Sequence, residues 1–121
     1  MDRYMIVIPA KNRAFKLLCD DGDSMKLETM QKLVGGPIES VHTLLEPEWA
    51  RESGVDSILL LVNEEGRLKG LPENPRAEEM ASYAAPAHAK LVGPAIVAAG
   101  RGEEIIGFAK PVADTICAEW L

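Results

Sequence analysis

Two histidines, two cysteines and a run of aspartates are the side chains on which chemistry would draw first. His42 or His88 would suit a general base near neutral pH. Each stands alone, however, and a lone histidine in or beside a strand reads first as a packing or surface residue. Cys19 and Cys117 sit in apolar runs, which marks buried, inert thiols rather than nucleophiles. Two cysteines provide neither a disulfide framework nor a paired metal-ligand spacing. Asp20-Asp21-Gly22-Asp23 has the outline of a cation loop but lacks the ligand spacing and the glutamate at the twelfth position of a calcium hand. A solvated turn is the simpler reading. There is no nucleophile elbow and no phosphate-binding glycine loop, and Gly100-Arg101-Gly102 lacks the rest of a dinucleotide fingerprint. The sequence therefore designates no catalytic residue, no metal ligand and no cofactor.

What remains is a set of polar residues around two glycine-marked turns. Gly35, Gly36 and Glu39 follow a helix end; Asn63, Glu64 and Lys69 follow an apolar strand; Asn74 and Arg76 open a helix. Exposed backbone beside a carboxylate at Glu39 would make a small recognition site, and the eight residues together form the candidate ligand or partner surface. Folding alone also accounts for each of them, as turn and cap chemistry. The functional reading requires that they converge in space. Trp49 lies on an exposed-looking stretch and is the candidate interface anchor.

The elements that must position these residues follow from local pattern. Residues 4–8 form a short apolar run closed by Pro9, and 14–19 a second, so the two suit a hairpin through 9–13. Asp23 or Ser24 would cap the next helix, whose Leu27, Met30, Leu33 and Val34 recur on one face. Gly35 or Gly36 supplies its left-handed end. Residues 37–44 are extended, because Pro37 cannot continue the helix. Acids and Pro47 ahead of Gly54 suggest one or two helical turns. Residues 58–62 form the most apolar run and lack alternation, as in a central strand covered on both faces. Asn74-Pro75 starts a helix running to about residue 84. Residues 91–99 and 104–108 read as two further strands, and Pro111 opens a last helix.

The expected architecture is a single α+β domain over 1–121, with a mixed sheet of about five strands and two to four helices packed on it. Strands 4–8 or 95–99 would pair with a twin if they lay at an edge.

Composition sets the outer bounds. The chain has 121 residues, 47% apolar and 26% charged, which suits one soluble core. No basic start precedes an apolar run and no membrane span is visible, so a cytoplasmic protein with reduced thiols is expected. The net charge is −6. Residues 1–45 hold six basic and six acidic side chains, and 46–121 hold seven and thirteen. The only basic cluster, Arg3, Lys11, Arg13 and Lys16, is small, which disfavours nucleic acid as a partner.

One resemblance spans most of the chain. The helix from Leu27, with Leu33-Val34-Gly35-Gly36-Pro37-Ile38-Glu39, resembles the opening motif of the bacterial and phage family of unknown function number 3846. Val62-Asn63-Glu64-Glu65-Gly66-Arg67-Leu68-Lys69-Gly70-Leu71-Pro72, followed by Asn74 and Arg76-Ala77, resembles its second block. Leu91-Val92-Gly93-Pro94-Ala95-Ile96-Val97 is similar to its late strand. Against that pattern, 47–56 looks like an insertion, and the ending at Lys110-Pro111 matches less well. The resemblance implies Gram-positive gut bacteria, their plasmids and their phages as context, and supplies no mechanism.

The expected function is that of a small interaction or regulatory protein, from a mobile element or phage, which binds a protein partner. The alternative is a small-molecule-binding domain or an enzyme with a pocket near Glu39, Asn63, Asn74 and Arg76.

Overall fold

The computed structural model of the chain describes residues 2–43, 54–84 and 90–121. Apolar runs of high β-propensity give β1 (Arg3–Ile8) and β2 (Phe15–Leu18), an antiparallel hairpin in which Tyr4 stands opposite Leu18. The helix α1 (Leu27–Val34) buries Met30 and Val34, four residues apart, on one stripe. Its start is held by Asp20 rather than by Asp23 or Ser24. The Asp20 carboxylate accepts the Lys26 N–H (2.8 Å) and the Thr29 hydroxyl (2.7 Å). Asp23 pairs instead with Arg101, and the Ser24 hydroxyl donates to the Ile105 carbonyl, so both expected caps are engaged elsewhere.

After α1 come β3 (Ile38–His42), β4 (Ser57–Asn63) and the helix α2 (Pro75–Ala84). β5 (Ala95–Arg101), β6 (Glu104–Ile106), β7 (Phe108–Ala109) and the helix α3 (Lys110–Trp120) complete the fold. β5 begins at Ala95 rather than 91, because Gly93 has a φ of +76° and Pro94 lacks the N–H a ladder needs.

The sheet order is β2-β1-β5-β4-β3, with β6 beside β5 and β7 beside β1. β6 and β7 are one extended run broken at Gly107. Its first part pairs with Ala99–Arg101, its second with Arg3–Tyr4. A Cβ on Gly107 would sit 2.5 Å from Cys19 Sγ and 2.9 Å from the Tyr4 amide nitrogen. Only glycine lets the strand cross so closely from one neighbour to the other.

The α+β class is as the sequence predicts, with three helices on a seven-stranded sheet among the described residues. The sheet is antiparallel at every pairing rather than mixed. The continuous apolar run at 58–62 does mark burial on both faces, but helices cover both faces of an antiparallel sheet here. On one side Met30 and Val34 of α1 pack with Met5, Leu61, Ile96 and Ala98. On the other, Met80 of α2 and Ile116 of α3 join Ile6, Ile58, Leu60, Val97 and Phe108. Strands 4–8 and 95–99 are interior, so the sheet's edges among the described residues are β2 and β3. No helix among the described residues is long and apolar enough to cross a membrane. Trp49, His88 and residues 47–53 of the expected insertion lie outside the described residues.

Candidate functional site

Antiparallel registers bring the end of β1, the starts of β3 and β5 and the end of β4 to one end of the sheet. The eight candidate residues all belong to this end, in three groups.

The first group ties α1 to the turn after β4. Gly35 adopts φ +88° and ends the helix, and the N–H groups of Gly35 and Gly36 donate to the Gln31 carbonyl at 2.8 and 3.0 Å. Asn63, only 4% exposed, donates from Nδ2 to the Val34 carbonyl (3.1 Å) and accepts the Glu65 N–H on Oδ1 (2.8 Å). Lys69 Nζ donates to the Gly35 carbonyl at 3.1 Å, placing a cation at the negative end of the helix. A Cβ on Gly36 would stand 2.8 Å from that ammonium and 3.1 Å from the Asn63 amide. The two sequence motifs are therefore halves of one clamp: a glycine-ended helix and the Asn and Lys that satisfy its last carbonyls.

The second group anchors α2 and the β1–β2 turn. Asn74 is fully buried and has no free polar atom. Its Nδ2 donates to the Ile8 and Gly93 carbonyls, each at 2.9 Å, and its Oδ1 accepts the Ala77 N–H at the helix start. Arg76 donates to the Pro9 carbonyl at 2.5 Å and to the Asn12 carbonyl. Both side chains spend their hydrogen bonds on backbone.

The third group is different. Glu39 and Glu64 line a recess of about 450 Å³ together with Val41, Val62, Arg67 and Lys90. β3 and β4 give one wall and an apolar floor, since Glu39 stands opposite Val62 and Val41 opposite Leu60. Residues 90–92 and Arg67 give the other wall. The cations are already engaged: Arg67 donates to the Lys90 carbonyl at 2.9 Å, and Lys90 Nζ pairs with Glu73 at 2.9 Å. The Glu39 and Glu64 carboxylates are exposed and have no hydrogen-bond or ion-pair partner among the described residues. The recess thus holds two unpartnered carboxylates beside an Arg67 guanidinium that keeps its charge against a neutral carbonyl. Asn63 touches this recess as well as the clamp, whereas Gly35, Gly36, Lys69, Asn74 and Arg76 do not.

Burial pushes the Cys19 thiol up to about 11, despite the Arg3 guanidinium nearby, and raises Cys117 too, so neither is a ready thiolate. No cluster of three metal-binding side chains occurs among the described residues. His42 is exposed on β3 at the rim of the recess, whose lining it shares with Ser40. A second hollow of about 330 Å³ between α2 and α3 is lined by Glu79, Met80, Glu119 and Trp120, none of them a motif residue.

Sequence reasoning missed Arg67 and Lys90 as walls of the recess. Arg67 stands within the second motif block, but Lys90 carries no local signal, because it reaches the recess through the pairing of the 90–93 segment with residues 72–74.

Neither a search of curated proteins nor a search of solved structures finds a significant match. The family model described as Domain of unknown function (DUF3846) matches residues 4–120, nearly the whole chain, and it spans the clamp, the α2 anchor and the recess. The chain belongs to this family of unknown function.

Proposed function

We propose that this domain works by binding another protein, as a small interaction or regulatory protein of a bacterial mobile element or phage, acting in the cytoplasm. The observation that carries the reading is the pair of exposed carboxylates, Glu39 and Glu64, without a partner among the described residues, at a recess whose Lys90 is already paired with Glu73. An exposed carboxylate without an intramolecular partner is hydrated and stays available to a cationic group of another molecule. The motif residues that would have built a convergent catalytic or small-molecule site are instead consumed by backbone carbonyls and amides. That division favours a binding surface over an enzyme pocket.

The test is an affinity capture with the wild-type protein and a Glu39→Lys/Glu64→Lys variant as paired baits in bacterial lysate. Both side chains are exposed, so the variant keeps its fold, which circular dichroism checks. A protein retained by wild type and lost by the folded variant supports the reading and places the surface. Capture of the same proteins by both baits contradicts the recess as the binding face.

A further inference from the structure

The edge of the sheet beside the recess has a polarity that can be worked out atom by atom. The Glu64 N–H donates to the Pro37 carbonyl at 2.8 Å, and the Thr43 N–H donates to the Ile58 carbonyl at 3.2 Å. In an antiparallel ladder, residues in such close pairs turn their N–H and C=O toward the partner strand, and the alternate residues turn theirs away. Pro37, Glu39, Val41 and Thr43 therefore face β4, in step with the register that sets Glu39 against Val62. Ile38, Ser40 and His42 point their N–H and C=O groups outward. None of the described residues bonds to those groups, because β3 is the last strand of the sheet among them.

Resting on the protein-binding reading above, we infer that the partner adds to β3 as an extended strand with basic residues at alternate positions. A further column of backbone bonds, the fifth along the order β2-β1-β5-β4-β3, is available at Ile38, Ser40 and His42. Side chains of an added strand point alternately to the two faces, and every second one would stand on the same face as Glu39 and the recess. That face presents two unpaired carboxylates over the apolar floor of Val41 and Val62. Lysine or arginine there would meet a charge and lay its methylenes on the valines. A second copy of this chain would bring a net charge of −6 to a recess that already holds two unpartnered carboxylates, so a basic partner is the better complement.

β2, the other edge among the described residues, does not line the recess, and its Lys16 is tied to Asp114 of α3.

The experiment is fluorescence anisotropy with three short peptides: lysine alternating with valine, the same composition with the lysines in one block, and the alternating peptide N-methylated at every second amide. The alternating peptide binds, and blocking or N-methylation weakens it about tenfold or more, since two or three ladder hydrogen bonds or the charge register are lost. Ser40→Pro removes an outward N–H without touching the β3–β4 ladder and weakens binding to a similar degree, while Ser40→Ala leaves it unchanged. Equal binding of the N-methylated peptide, equal binding by Ser40→Pro, or no uptake of the alternating peptide overturns the strand-addition proposal. The N-methylated arm decides the matter even if Ser40→Pro fails to fold. A dimer in sedimentation velocity that Ser40→Pro dissolves, with no peptide uptake, also overturns it and assigns β3 to a second copy. A lysate protein lost by Glu39→Lys/Glu64→Lys but kept by Ser40→Pro leaves the protein-binding reading standing and removes only the strand. If neither peptide nor lysate protein discriminates the variants, both fall.

Discussion

Asn74 and Glu39 belong to the same polar motif set and sit at the same end of the sheet, yet their circumstances are opposite. Asn74 is fully buried, with both amide ends bonded to backbone, while Glu39 is exposed and unpartnered among the described residues. A buried polar side chain must be satisfied or it costs free energy, so its bonds report what the fold requires. An exposed carboxylate without a partner costs the fold almost nothing, and its charge is free for another molecule. The comparison separates residues that hold the domain together from residues that face outward, within a motif that looks uniform as a string of letters.

The separation can be broken by substitution, and the largest effect belongs to Asn74. Asn74→Ala leaves the Ile8 and Gly93 carbonyls orphaned and removes the α2 cap, at a cost of about 3 kcal/mol in urea unfolding. Asn63→Ala ranks next, at about 2 kcal/mol, because it frees the Val34 carbonyl at the end of α1 and undoes the turn bond to Glu65. If either variant unfolds like wild type, the clamp is not what stabilises this end of the sheet. Glu39→Lys/Glu64→Lys lies on the other side of the comparison. Its unfolding free energy stays within about 0.5 kcal/mol of wild type. A loss as large as that of Asn63→Ala would mean the two carboxylates are structural after all.

The smallest effect is a pH dependence at the start of α1. The Thr29 hydroxyl, and then the Lys26 N–H, hold the Asp20 carboxyl below the usual aspartate range. A group whose folded pKa is depressed contributes stability above its unfolded value and loses it as pH falls through the folded one. Stability monitored by circular dichroism from neutral pH down through the carboxylate range should therefore fall less steeply in Asp20→Asn than in wild type. Identical slopes would remove Asp20 as the cap.

Much of this was legible in the sequence, for local reasons. The stop at Gly35, the start at Asn74-Pro75 and the buried strand at 58–62 are set by neighbours within a few residues. What could not be read depends on distant partners. The strand that changes neighbours at Gly107 needs Cys19 and Tyr4 packed against it, and the Asp20 cap reaches across six residues to Lys26. Alternation within a strand does not reveal whether a covering helix rests on a parallel or antiparallel sheet. Which of the polar motif residues would stay unpaired was equally hidden, because the recess is closed by Lys90, far along the chain.

The central claim is that β3 offers an edge that none of the described residues covers, beside the recess of Glu39 and Glu64, and amide hydrogen exchange of the free protein, followed residue by residue by NMR, tests it without a partner. The prediction is an alternation: Glu39, Val41 and Thr43 exchange slowly, held by β4, and Ile38, Ser40 and His42 exchange fast. Slow exchange at Ser40 and His42, matching their neighbours, would show that the edge is already covered and would contradict it.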